Sequence, residues 1–179
     1  MKFRQRMTDN YDIEIYTDGS GHINGFGGWA AFITTPDRIK KDFRMGSACC
    51  TSVDRMEFTA LLEGLQGAWE MVMQRPEYMD PDWKPNILWF SDRESLVNSV
   101  KGIYGRTNCP DLWQRFDFYE ANMIINPRFV TEEIKKTLVE FKEVDLQSSV
   151  GYQMIKNYIS SKPFSTALNY NQPTINGEF

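Results

Sequence analysis

Residues 11–17, YDIEIYT, alternate aromatic or aliphatic side chains with acids, the two-residue period of a strand with one buried face. The run ends at Asp18-Gly19-Ser20-Gly21, and Asn24-Gly25 follows, so the chain turns there. Gly27-Gly28 leads into WAAFITT, apolar enough for a central strand and stopped by Pro36-Asp37. Over 39–46, Ile39, Phe43 and Met45 alternate imperfectly with charges, which predicts a third strand and an antiparallel meander. The period then changes. From Met56 to about Met73, the residues Met56, Ala60, Leu61, Leu65, Ala68, Trp69 and Val72 recur at three- and four-residue steps, one face of a helix. Ser52 or Asp54 can cap its start.

Pro76, Pro81 and Pro85 make 74–86 a loop. NILWFS at 86–91 is almost wholly apolar, as a strand covered on both faces should be, and Asp92 stands at its C-terminal end. A helix is predicted from about 93 to 101, ended by Gly102 and Gly105. Pro110-Asp111 opens another through Asn122, with Leu112, Trp113, Phe116 and Tyr119 or Phe118 inward, and Pro127 stops it. TLVEFKEV at 137–144 reads as a last strand and 150–160 as a last helix. The order β-β-β-α-β-α-α-β-α predicts an α/β fold, a five-stranded mixed sheet with helices on both faces. One domain is expected over 1–160, followed by a polar, Asn-rich tail over 161–179 through which a protein partner can bind.

Composition narrows this picture. With 41% hydrophobic and 14% aromatic residues the chain can build a core, and no run approaches the roughly 20 apolar residues of a membrane span. The start, MKFRQRMTDN, is basic but has no apolar signal-peptide core. The cysteines, Cys49, Cys50 and Cys109, are odd in number and lack zinc spacing. A reduced, cytoplasmic protein without a membrane partner is the expectation. The net charge of −4 has the wrong sign for a protein governed by phosphate attraction.

Candidate chemistry lies with three acids. Asp18 ends the first predicted strand and Asp92 the fourth, so they meet if those strands are parallel neighbours. Glu57, in the first turn of the long helix, can reach the same spot. Three carboxylates crowded in a half-buried place repel one another unless a divalent cation takes their oxygens as ligands. Hard oxygen donors without a Cys or His cluster suit magnesium or manganese. Each acid also has a local reading, Asp18 capping a turn and Glu57 and Asp92 capping helices.

IYTDGS at 15–20, GFGGWAAFI at 25–33, TSVDRMEFTALLEGL at 51–65, ILWFSD at 87–92 and DLWQRFD at 111–117 together resemble, in order, bacterial-type ribonuclease H over about 11–145. The resemblance implies the ribonuclease H fold and endonucleolytic hydrolysis of the RNA strand of RNA–DNA hybrids with two magnesium (or manganese) ions. Asp18, Glu57 and Asp92 fall on three of that family's four metal-binding carboxylates. It implies that Asp18 bridges the ions, that Glu57 holds the leaving-group side and meets a ribose 2′-hydroxyl, and that Asp92 holds the nucleophile side.

The fourth carboxylate has no counterpart at its expected place, where 152–156 reads YQMIK. With VEFKEVD aligned as the last strand, Asp145 is the nearest acid and becomes the fourth candidate catalytic residue. His22, the one histidine, sits in the first turn of the meander, on the wrong element to be the family's loop histidine. For substrate, the resemblance points to Gly19, Ser20, Asn24, Thr51 and Ser52, with Arg93 placed for a phosphate. The link IYGRTNCP is too short for the family's basic protrusion, so hybrid affinity is expected to be modest and steeply salt-dependent. The second function class is a non-catalytic binding module on the same fold.

Overall fold

The computed structural model describes residues 11–74 and 82–161. The lead-in, the stretch 75–81 of the proline-rich loop and the tail from 162 lie outside the described residues. Three strands, β1 (Ile13–Gly21), β2 (Gly27–Thr34) and β3 (Lys41–Ala48), form the antiparallel meander. Helix α1 (Val53–Val72) leads to β4 (Asn86–Ser91), and α2 (Glu94–Val100) and α3 (Pro110–Asn122) follow. The chain then enters β5 (Ile124–Phe129), the short α4 (Glu132–Lys135) and α5 (Val139–Ser160). The sheet order is β3-β2-β1-β4-β5, with β1/β4 and β4/β5 parallel, so this is the expected five-stranded mixed sheet.

Two cores cover its faces. On one, Ile13, Ile15, Ile33 and Trp89 pack against Leu61, Leu62 and Leu65 of α1 and Phe116 of α3. On the other, Tyr16, Ala30, Leu88 and Phe90 pack against Phe141 and Val144 of α5. The strand period sorts Ile13, Ile15 and Thr17 to the α1 side and Tyr16 and Asp18 to the α5 side. Each fully buried Leu of α1 contributes roughly 1.5–3 kcal/mol. Trp113, read as packing, is buried edge-on against Phe58 at 4.5 Å between centroids.

Three elements depart from the sequence reading. Residues 137–144 are not a strand. From Val139 they belong to α5, where Phe141, Val144, Ser148 and Gly151 bury one face at three- and four-residue steps. Of Val139 and Phe141 only Phe141 belongs to that stripe, since Val139 is 73% exposed, and α5 begins well before 150. The last strand instead lies at 124–129, on the edge of the sheet, with Pro127 in register with Trp89. An edge strand tolerates proline because a missing amide on its outer side breaks no ladder bond. β3 also starts two residues later than predicted, and Ile39 is exposed in the turn before it. Among the described residues, no helix is long and apolar enough to cross a membrane.

Candidate metal centre

Pairing of β1 with β4 stops at Tyr16–Phe90, and Asp18 and Asp92 each stand two residues past that last rung. The gap that opens there admits the first turn of α1. Gly19 makes the approach possible, because a Cβ on it would collide with the backbone nitrogen of Glu57. The Gly19 amide donates to the Glu57 carboxylate. One carboxylate oxygen from each of Asp18, Glu57 and Asp92 lies within 4.8 Å of the others.

The local readings do not describe these acids. Ser52 caps α1, its hydroxyl accepting from the Arg55 amide at 3.2 Å, while Glu57 is buried. The residue flanking α2 is Arg93, whose amide donates to Ser91 Oγ at 3.0 Å, so Asp92 caps nothing there. Asp18 lies within β1 rather than in a turn, and its Oδ2 accepts from the Ser148 hydroxyl of α5.

Burial sets the electrostatics. Asp18 is 6% exposed and Glu57 4%. Desolvation pushes the Asp18 carboxyl up to about 6, with the charges of Asp92 and Asp145 adding to it and the Ser148 hydroxyl opposing it. Glu57 is pushed well above the usual carboxylate range, first by burial and then by Asp18 and Asp92. Glu57 Oε2 and Asp92 Oδ1 are buried without a hydrogen-bond partner. Two orphaned oxygens among three hard carboxylates fit a site for a hard divalent cation.

Asp145 is not brought into the trio. The sequence reading put it at a strand end, but it is exposed within α5, one turn before Ser148, and reaches Asp18 only through its charge. The polar group that α5 does deliver is Ser148. Close packing places it there: a Cβ on Gly28 would strike the Ser148 carbonyl, so the GFGG run lets the helix lie against β2. Lys135 was also missed. Its ammonium pairs with Asp92 Oδ2 from α4, and Asp92 and Asp18 hold it protonated more firmly than an ordinary lysine. Its sequence signal, the Lys135-Lys136 pair after β5, was hidden by the misplaced strand.

Of the expected substrate residues, Gly19 touches Glu57, Ser20 touches Ser148, and Arg93 acts on Glu57 through its charge. Ser20 Oγ donates to the Ser148 carbonyl at 2.7 Å. Asn24 Oδ1 closes its own turn by accepting from the Phe26 amide at 3.1 Å. Thr51 Oγ1 is buried without a partner, and Ser52 is exposed at the head of α1. Arg93 pairs with Asp54, and both line a cleft of about 280 Å³ together with Tyr104, Asn108 and Trp113. His22 is exposed and stacks on Tyr152 at 5.7 Å.

No protein-family profile and no curated protein sequence matches the chain. Solved structures do match. The N-terminal RNase H domain of a Mycobacterium tuberculosis protein superposes with a TM-score of 0.67 at 14% identity, over 84% of this chain and 99% of that one. LC11-RNase H1, isolated from compost by a metagenomic approach and solved in complex with RNA/DNA hybrid, gives 0.56 at 18%, over 80% and 98%. RNase H1 from Halobacterium salinarum gives 0.56 at 14%, over 78% and 96%. The chain therefore has the ribonuclease H fold. Its three clustered acids stand where β1, β4 and α1 of that fold converge.

Proposed function

We propose that the chain is a divalent-metal-dependent endonuclease hydrolysing the RNA strand of RNA–DNA hybrids. The observation that carries this is the convergence of Asp18, Glu57 and Asp92 within 4.8 Å, with buried oxygens of Glu57 and Asp92 left unpartnered. The similarity to a structure holding an RNA/DNA hybrid supports the substrate class. Magnesium or manganese, two ions once substrate is present, would supply water activation and stabilisation of the departing 3′-oxygen. Asp18 would be shared between the ions, with Asp92 on the nucleophile side and Glu57 on the leaving-group side. Glu57 would also accept from the ribose 2′-hydroxyl, which separates RNA from DNA. Gly19, Ser20, Asn24, Thr51 and Ser52 would supply groove and backbone contacts, and Arg93 would exchange Asp54 for a phosphate.

A second reading, a binding module that does not cut, is favoured by one observation. Ser148 and Lys135, rather than a fourth carboxylate, adjoin the trio. A labelled RNA–DNA hybrid incubated with magnesium or manganese separates the two. Cleavage by the parent that disappears in Asp18→Asn supports the enzyme. Binding without any cleavage, under either metal, supports the module.

A further inference from the structure

The charge around the three carboxylates is not what two divalent ions need. Lys135 Nζ contacts Asp92 Oδ2, and its side chain is only 17% exposed. It lies 5.3 Å from the centroid of the Phe141 ring, so it is held between that ring and the site rather than waving in solvent. Glu132, its other acidic neighbour at 3.5 Å, is 80% exposed and screened by water. Arg93 is matched by Asp54. Asp145 is exposed. Three carboxylates against one ammonium leave a charge that a single divalent ion cancels. A second ion would leave excess positive charge in a half-buried pocket until a phosphate arrived. The unpartnered oxygens belong to Glu57 and to the Asp92 oxygen that Lys135 does not touch, Oδ1, so they outline room for one ion away from the lysine.

We propose that Lys135 is a built-in counter-ion occupying the Asp92 side of the site, so that the protein free of nucleic acid binds one divalent ion. This rests on the metal-dependent reading above and adds to it a positioning residue that the acids alone do not reveal. Lys135 neutralises Asp92, keeps it turned toward α4, and yields the second cation position only when substrate phosphate adds negative charge. The fixed cation also explains how Asp92 is tolerated beside two buried acids without a further ligand.

Calorimetric titration of the full chain with manganese, in the absence of nucleic acid, tests this. The parent should bind one equivalent, lost in Asp18→Asn. Lys135→Met should bind two equivalents, with the first at least about tenfold tighter, because a like charge a few ångströms from the ion has gone. Lys135→Arg, which keeps the charge, should bind one, as the parent does. If Lys135→Met does not melt cooperatively, Lys135→Gln replaces it with the same expectation. Two equivalents in the parent, or one of unchanged affinity in the neutral variants, overturns the proposal while leaving hybrid cleavage untouched. A parent that binds no manganese overturns both this and the metal-dependent reading.

Discussion

Asp18 shows how a residue's placement becomes a measurable property. Its folded pKa of about 6 lies above its ordinary 3.8, so the folded state holds the proton more tightly than the unfolded chain. The sign follows: this group's stabilising contribution is full below about pH 4 and is lost as the pH rises through about 6. At neutral pH the metal-free protein therefore carries a deficit of roughly 3 kcal/mol from Asp18. Asp18→Asn should raise the melting temperature of the metal-free protein at pH 7–8 and flatten the difference from parent near pH 4. Magnesium should recover the parent and leave the variant unmoved. Melting curves across pH with chelator and with metal check this, and a destabilised Asp18→Asn at pH 8 would contradict the burial argument.

Ser148 is the residue where the site can be changed most directly. Its hydroxyl donates to Asp18, which favours the charged carboxylate. Ser148→Ala should push Asp18 further up, moving the acidic limb of the cleavage pH profile to higher pH. Ser148→Asp would set a fourth carboxylate against Asp18. It should tighten manganese binding by about tenfold or more while lowering metal-free stability, as like charges at short range require. Titration and melting together read both effects, and no change in metal affinity would mean that α5 does not face the ions.

Among the elements, α5 depends on having nothing between it and the sheet. Gly28 on β2 and Gly151 on the helix leave no room for a methyl group, Gly151 lying against the Gly46 carbonyl of β3. Gly28→Ala should cost about 2–4 kcal/mol through backbone displacement and should disconnect Ser148 from Asp18. Chemical denaturation measures the first and the Asp18-dependent pH limb the second. Leu65→Ala, in the opposite core, should cost ~2–5 kcal/mol without moving that limb. The contrast separates simple loss of packing from loss of registration.

Legibility in the sequence followed the strength of each element's period. β1, β2, α1 and β4 carry unmistakable alternation, helical spacing or apolar runs, so the three acids at their ends could be placed before any coordinates. β5 could not, since IINPRF is short, half exposed and contains a proline that normally argues against a strand. The first half of α5 could not either, because its inward residues include Ser148, which no hydrophobic pattern counts, and only the helix over 150–160 was read. Those two misses hid Ser148 and Lys135, the site's contributions from the C-terminal part. They also put Asp145 in a role the helix does not give it.

At the scale of the whole molecule, the basic side chains that nucleic acid would use are largely answered by acids of the same chain. Arg106 pairs with Asp117 at 3.0 Å and Glu120 at 2.5 Å, and its guanidinium covers Trp113. Arg55 pairs with Asp111 at 2.5 Å and Arg115 with Glu63 at 3.3 Å. Hybrid binding should therefore be weak, and each phosphate contact that does form adds ~0.9 to the log–log slope against salt. Binding titrations in roughly 50 and 200 mM salt should differ by at least about tenfold, and an affinity indifferent to salt would remove phosphate contacts from the recognition.

Pro127 has a consequence that reaches beyond one copy of the chain. β5 is the sheet's exposed margin, and a proline set into it withholds a main-chain donor from any strand that tried to dock alongside. Restoring that donor with Pro127→Val would leave the fold's interior as it is. It would give each molecule an open flank, so turbidity rising with concentration should appear in the variant where the parent stays clear.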